Sequence, residues 1–304
     1  MSARPAGRRR LRLAGPVDLR LTLGAVRRGR GDPTMRIGPG EVWRATRTAD
    51  GPATARVTAS GGELAMEAWG PGAERALDGF EALVGGLDDE RGFDPGTGVV
   101  AELRRRLPGL RLCRTGAVFE ALVPTVIEQK VTGHEARRSY HGLVRRLGEP
   151  APGPCAGLLV PPAAEAVART PSWVFHRLGV ERRRADTVRL AATYARRLDE
   201  AASLGRDEAY RRLLALPGVG PWTAAEVAMV ALGDADAVSV GDFHLPDHVA
   251  FALAGEARAD DARMLELLEP YQGHRGRVVR LIMAGGPAPP RFGPRMALNP
   301  IAAL

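Results

Sequence analysis

Lysine is nearly absent from this chain: Lys130 is the only one in 304 residues, so the rest of the 43 basic side chains are arginine. Cysteine is almost as scarce. Cys113 and Cys155 cannot build a zinc or iron–sulfur centre alone, because such centres take about four ligands. No apolar run approaches the roughly 18 residues that cross a bilayer. The opening stretch, MSARPAGRRRLRLAG, carries charge where a secretion signal carries an apolar segment. These shortages exclude a bundle of membrane spans and a metal-cluster protein. They lead us to expect a cytoplasmic chain with free thiols and no membrane partner.

What is present points elsewhere. The 43 basic residues outnumber 35 acidic ones, giving a formal net charge of +8. Arginine offers a rigid fork of donors that matches phosphate oxygens. A basic, arginine-rich surface is the electrostatic footprint of a nucleic-acid binder. The length suggests roughly two domains of about 150 residues each.

Periodicity divides the chain in two. Val17, Leu19, Leu21 and Leu23 alternate with polar residues, which reads as a strand. The runs Val42–Ala45 and Ala55–Thr58 flank the turn signal Asp50-Gly51 and read as a hairpin, and Leu64–Trp69 as a further strand. Ala73–Val84 sets Leu77, Phe80 and Val84 on one helical face. Beyond about residue 100 the pattern is helical. Phe119, Leu122, Val123, Val126 and Ile127 form an apolar stripe, and helices follow over 161–178, 183–199 and 207–215. The expected class is α+β: a small strand-rich N-terminal domain (1–98), a mainly helical domain (99–285) and a proline-rich tail (286–304).

The most informative segment is Leu216–Leu232, LPGVGPWTAAEVAMVAL. A helix ends near Leu214, Gly218 and Gly220 make a tight hairpin around Val219, and a helix restarts at Pro221. Proline suits a first helical position because its missing N–H would be unpaired there anyway. Glycines allow left-handed backbone angles and leave N–H groups uncovered. Amides at a helix N-terminus form a site for a phosphate.

LPGVGPWTA resembles the helix-hairpin-helix of the DNA glycosylase superfamily, which includes endonuclease III and DNA-3-methyladenine glycosylase II. The string Val240-Gly241-Asp242-Phe243-His244-Leu245 is similar to the V-D-x-H-[ILM] pattern that follows the hairpin in that superfamily, with Asp242 lying 22 positions after Gly220. Ile127-Glu128-Gln129-Lys130-Val131-Thr132-Gly133 is similar to its I-x-Q-Q-[LIV]-S-x segment. Gly179–Leu190 is similar to the segment preceding the hairpin in the 3-methyladenine branch. The resemblance covers most of residues 11–285 and is sharpest at the hairpin and Asp242.

The resemblance implies a monofunctional DNA glycosylase that flips an alkylated purine out of double-stranded DNA and hydrolyses its glycosidic bond. It makes Asp242 the catalytic carboxylate, with Asp247, in Leu245-Pro246-Asp247, as a competitor. Either aspartate could instead cap the following helix. Gln129, Lys130, Gly218, Val219, Gly220 and Thr223 are implied to contact DNA, with Lys130 where the vacated gap is filled; the branch commonly has Leu or Gln there, and Lys130 could instead be an exposed lysine at a helix end. Bifunctional relatives carry a lysine two residues after the second hairpin glycine; here that position is Trp222. Trp222 is thus either a base-stacking wall or a packing residue.

Where the branch has aromatic pocket residues, this chain has Glu226 and His274, which implies a more polar pocket. Each could equally be a solvated surface residue. No metal is expected, and a monovalent cation at the hairpin is the sole cofactor candidate. The expected partner is duplex DNA bearing a damaged base, met by a monomer in the nucleoid. The alternatives are a hairpin DNA-binding protein without catalysis, or a glycosylase for another lesion such as oxidised purines.

Overall fold

A computed structural model describes residues 4–290. The expectation of a tail over 286–304 falls mostly outside the described residues. Five antiparallel strands form the N-terminal sheet: β1 (Gly7–Leu11), β2 (Met35–Gly38), β3 (Glu41–Thr48), β4 (Gly51–Ser60) and β5 (Glu63–Trp69), in the order β1-β5-β4-β3-β2. The β3–β4 hairpin pairs Thr48 with Gly51 and Val42 with Val57, around the expected Asp50-Gly51 turn. Gly51 sits at φ +122°, a region that glycine adopts without strain.

Val17–Leu23 is not a strand. Leu19–Leu23 is a short helix, because the Asp18 carboxylate accepts from the Arg20 and Leu21 amides and starts a turn where alternation alone suggests extension. The N-terminal arginines instead make the edge strand β1, paired Gly7 to Ala68 through Leu11 to Leu64. Leu19 and Leu23 join Val42, Val57, Met66, Leu77 and Phe80 in the first core.

The remainder is helical apart from a short ladder that pairs Glu149–Pro150 with Leu159–Val160. Its main core surrounds the helix Val118–Glu128, nine of whose eleven residues are buried. The apolar stripe read from the sequence therefore understates its burial. Helices Gly133–Leu147, Arg182–Thr193 and Arg206–Leu214 pack around it. A third core joins the helices Val99–Arg106, Leu245–Ala254, Asp261–Leu268 and Arg275–Gly285. Segment 161–178 splits into Ala164–Arg169 and Ser172–Arg177 at Pro171, which disfavours helical angles in the residue before it.

Sheet and helices are fastened by charge. The Arg44 guanidinium of β3 donates to Glu120 at 2.6 Å, and the Thr46 hydroxyl donates to the other oxygen of the same carboxylate at 2.6 Å. Among the described residues, no helix is long and apolar enough to cross a membrane.

Candidate active site at the hairpin

The helix Arg206–Leu214 runs into the hairpin, and Pro221–Val227 leaves it, continuing as a π-helical turn over Ala228–Leu232. The two glycines differ in what holds them. Gly218 has φ +89°, and a Cβ there would lie 2.1 Å from the Thr187 hydroxyl oxygen. Packing against the Arg182–Thr193 helix therefore demands glycine at that position. Gly220 has ordinary extended angles, φ −106° and ψ −176°, and a Cβ would meet nothing within 4 Å. The fold does not require glycine there. Val219 is buried and its amide donates to the Leu216 carbonyl, closing the turn.

The turn after the Val118–Glu128 helix docks on this hairpin. The Gln129 side-chain amide donates to the Gly218 carbonyl at 2.9 Å and to the Thr223 hydroxyl at 2.8 Å. Gln129 thus serves as a bracket between two elements, with Thr223 as its anchor. Lys130 follows, exposed and with φ +55°, the one non-glycine residue with positive φ among those described. Left-handed angles cost an L-residue about 1 kcal/mol, so the surrounding turn imposes them. The buried Arg184 donates to the Ile127 carbonyl at 2.6 Å, gripping the same helix end from behind.

Asp242 lies on the other side of Trp222. Its Oδ1 accepts from the His244 and Leu245 amides at 2.8 and 2.9 Å, and its Oδ2 accepts from Trp222 Nε1 at 2.9 Å. The carboxylate therefore starts the Leu245–Ala254 helix, the capping role the sequence left open, and it also faces the hairpin helix. An ionised carboxylate accepts about four hydrogen bonds. Three are taken, which leaves a lone pair on Oδ2. Asp247 points elsewhere: it accepts from the Ala259 amide at 2.9 Å and pairs with Arg258 at 3.6 Å, tying down the next loop.

Glu226, one turn beyond Trp222, accepts a hydrogen bond from the Ser239 hydroxyl. Burial pushes its carboxyl above the usual range, and the neighbouring charges of Glu128 and Asp242 add to this against the Ser239 bond and Arg28. Sequence reasoning missed Arg28 and Ser239. Arg28 comes from the loop after the first helix and donates to Glu128 at 3.1 Å and to Thr125 at 3.3 Å. Its local signal was the run Arg27-Arg28-Gly29-Arg30-Gly31, but its partner lies 100 residues on.

His274 is not gathered with these groups. It is buried, its ring lies 5.2 Å from that of Phe93, and its nitrogens meet the Arg91 carbonyl and the Arg277 guanidinium. It braces the start of the last helix and is no longer a pocket candidate. Both cysteines are free, and burial pushes the Cys113 thiol up to about 11. No cluster of three metal-binding side chains occurs among the described residues.

The fold, a five-stranded sheet ahead of a helical body, is shared with solved DNA glycosylases. The 3-methyladenine DNA glycosylase of Archaeoglobus fulgidus is similar with a TM-score of 0.76 and 20% identity, over 90% of this chain and 97% of that one. An 8-oxoguanine glycosylase/lyase of Clostridium acetobutylicum, solved with duplex DNA containing cytosine opposite 8-oxoG, gives 0.68 and 13% over 93% and 96%. In sequence, 168 residues are 34% identical to the probable bifunctional transcriptional activator/DNA repair enzyme AlkA of Mycobacterium tuberculosis, covering 54% of this chain and 32% of that protein. The match thus spans about a third of the length of these curated relatives. No family model matches.

Proposed function

We propose that this chain is a monofunctional DNA glycosylase that removes alkylated purines from duplex DNA. One observation carries the reading: a carboxylate with one uncommitted lone pair, fixed by an indole N–H and two amides beside the first turn of the hairpin helix. A base inside a duplex must be extruded, at a cost of a few kcal/mol that is least for damaged or poorly paired bases. The hairpin amides of Gly218 and Gly220 hold a backbone phosphate, and Lys130 fills the gap that the base leaves.

In the chemical step the bond from the sugar to the base nitrogen breaks, its electron pair leaving with the base. Positive charge builds on the deoxyribose, and Asp242 stabilises it. Such stabilisation by preorganised groups is strongest where water is excluded. Water then bonds to the anomeric carbon and gives up a proton, for which the free lone pair of Asp242 is the acceptor. An alkylated purine already carries positive charge, so it departs without strong acid assistance. Trp222, held by Asp242, forms one wall of the pocket and Glu226 its polar side. With tryptophan two residues after Gly220, and the sole lysine on a different turn, no amine is placed for a Schiff base.

Duplexes carrying single lesions, with released bases identified by mass spectrometry, test the reading. Asp242→Asn keeps a capping side chain and should lose excision by about 100-fold or more while binding duplex DNA as before. Unchanged excision in that variant would remove Asp242 from the chemistry. DNA binding without release of any base by the wild type would favour the non-catalytic reading. Trapping of a protein–DNA adduct by borohydride would favour a glycosylase with lyase activity.

A further inference from the structure

Three cations line up beside the Lys130 turn, and two of them play no part in the mechanism above. The loop Arg27–Gly31 of the N-terminal portion is pinned against the helical body. Arg28 grips Glu128 and Thr125, and its carbonyl lies 2.7 Å from His141 Nε2. Arg27 donates to the Arg30 carbonyl at 2.7 Å, which stiffens the loop tip. The Arg30 side chain is left exposed, without an ion-pair or hydrogen-bond partner among the described residues.

Arg137, exposed on the Gly133–Leu147 helix, spans the distance between this loop and the Lys130 turn. A Cβ at Gly29 would lie 2.7 Å from Arg137 Cδ, and one at Gly133 would lie 3.1 Å from its Nη2. Its stem therefore runs over Gly29, next to Arg30, and its guanidinium sits at Gly133, three positions from Lys130. Like Arg30 and Lys130, its charged end has no partner among the described residues. No acid of the neighbourhood, among the described residues, forms an ion pair with any of these three cations. Glu128 holds Arg28, Glu135 caps Thr132 through its amide and hydroxyl, and Asp32 accepts from the Arg28 and Thr34 amides. What faces outward is a row of unneutralised positive charge built from both portions of the chain.

We propose that Arg30, Arg137 and Lys130 form a phosphate-binding rim that grips the duplex backbone on the side of the Lys130 turn, separately from the hairpin. This rests on the glycosylase reading and extends it to the N-terminal portion. Each phosphate neutralised releases condensed counterions, so each contact adds to the salt dependence of binding. The guanidinium of Arg137, held by the glycine beneath it, presents a fixed fork to phosphate oxygens.

The test is equilibrium binding of the full chain to an undamaged duplex across a range of salt concentrations. Arg30→Ala and Arg137→Ala should each lower the magnitude of the log–log salt slope by about 0.9, and the double variant by about twice that. Arg137→Lys should keep the wild-type slope. A steep wild-type slope that survives both alanine substitutions overturns the rim alone. A flat wild-type response would overturn the glycosylase reading and the rim with it.

Discussion

One indole N–H sets how the Asp242 carboxylate is aimed. The two backbone amides on Oδ1 would fix it as a helix cap in any protein, but the bond from Trp222 to Oδ2 turns the group towards the hairpin. Hydrogen bonds to charged groups are worth about 1.5–3 kcal/mol, although water replaces part of that when the donor is lost. Trp222→Phe keeps the ring and deletes the donor. We expect single-turnover excision to fall about tenfold while the unfolding transition drops by only a few degrees, measured by base release and by thermal melting of the same preparation. The sequence offered Trp222 as a stacking or packing residue. It did not offer the bond to Asp242, because nothing in a 20-residue separation announces that two side chains will meet.

At the scale of elements, the hairpin glycines make opposite demands. Gly218→Ala puts a methyl against Thr187 in a left-handed turn, and overpacking of this kind costs about 1–3 kcal/mol. Chemical denaturation should register that loss. Gly220→Ala meets open space at ordinary backbone angles and should leave stability nearly unchanged, while weakening duplex binding several-fold. Equal loss of stability in the two variants would mean that Gly220 serves the fold.

The hairpin itself was legible because Leu216–Pro221 combines a helix stop, two permissive glycines and a proline start in six positions. Strands β3, β4 and β5 were legible for a like reason, a turn signal between alternating runs. The Leu19–Leu23 helix was not, since five residues of alternating leucine satisfy a strand pattern equally well until Asp18 caps them. Nor was the split of 183–199 at Tyr194, where neither glycine nor proline marks the break.

At the scale of the whole molecule, buried charge links distant segments. Arg277, 1% exposed, donates two bonds to Asp88, at 2.6 and 2.9 Å, and a third to the Asp89 carbonyl. That joins the end of the N-terminal portion to the last helix. Removing one partner of a buried pair strands the other and costs about 3–5 kcal/mol. Asp88→Ala should lower unfolding free energy by that order in denaturant titration, without altering the hairpin contacts. His274 belongs to this joint through Arg277, which is why a residue read as a pocket wall serves as a strut. Sequence separations of this size, 189 residues for Asp88 and Arg277, leave no local trace.

The Arg28–Glu128 bond has a consequence for how such a chain can be rearranged. The clasp beside the Lys130 turn comes from the sheet-bearing portion, and the turn itself from the helical one. A chimera spliced near residue 98 would take its clasp from one parent and its turn from the other. Its Lys130 turn would be held slackly, so the two portions behave as a single heritable tool.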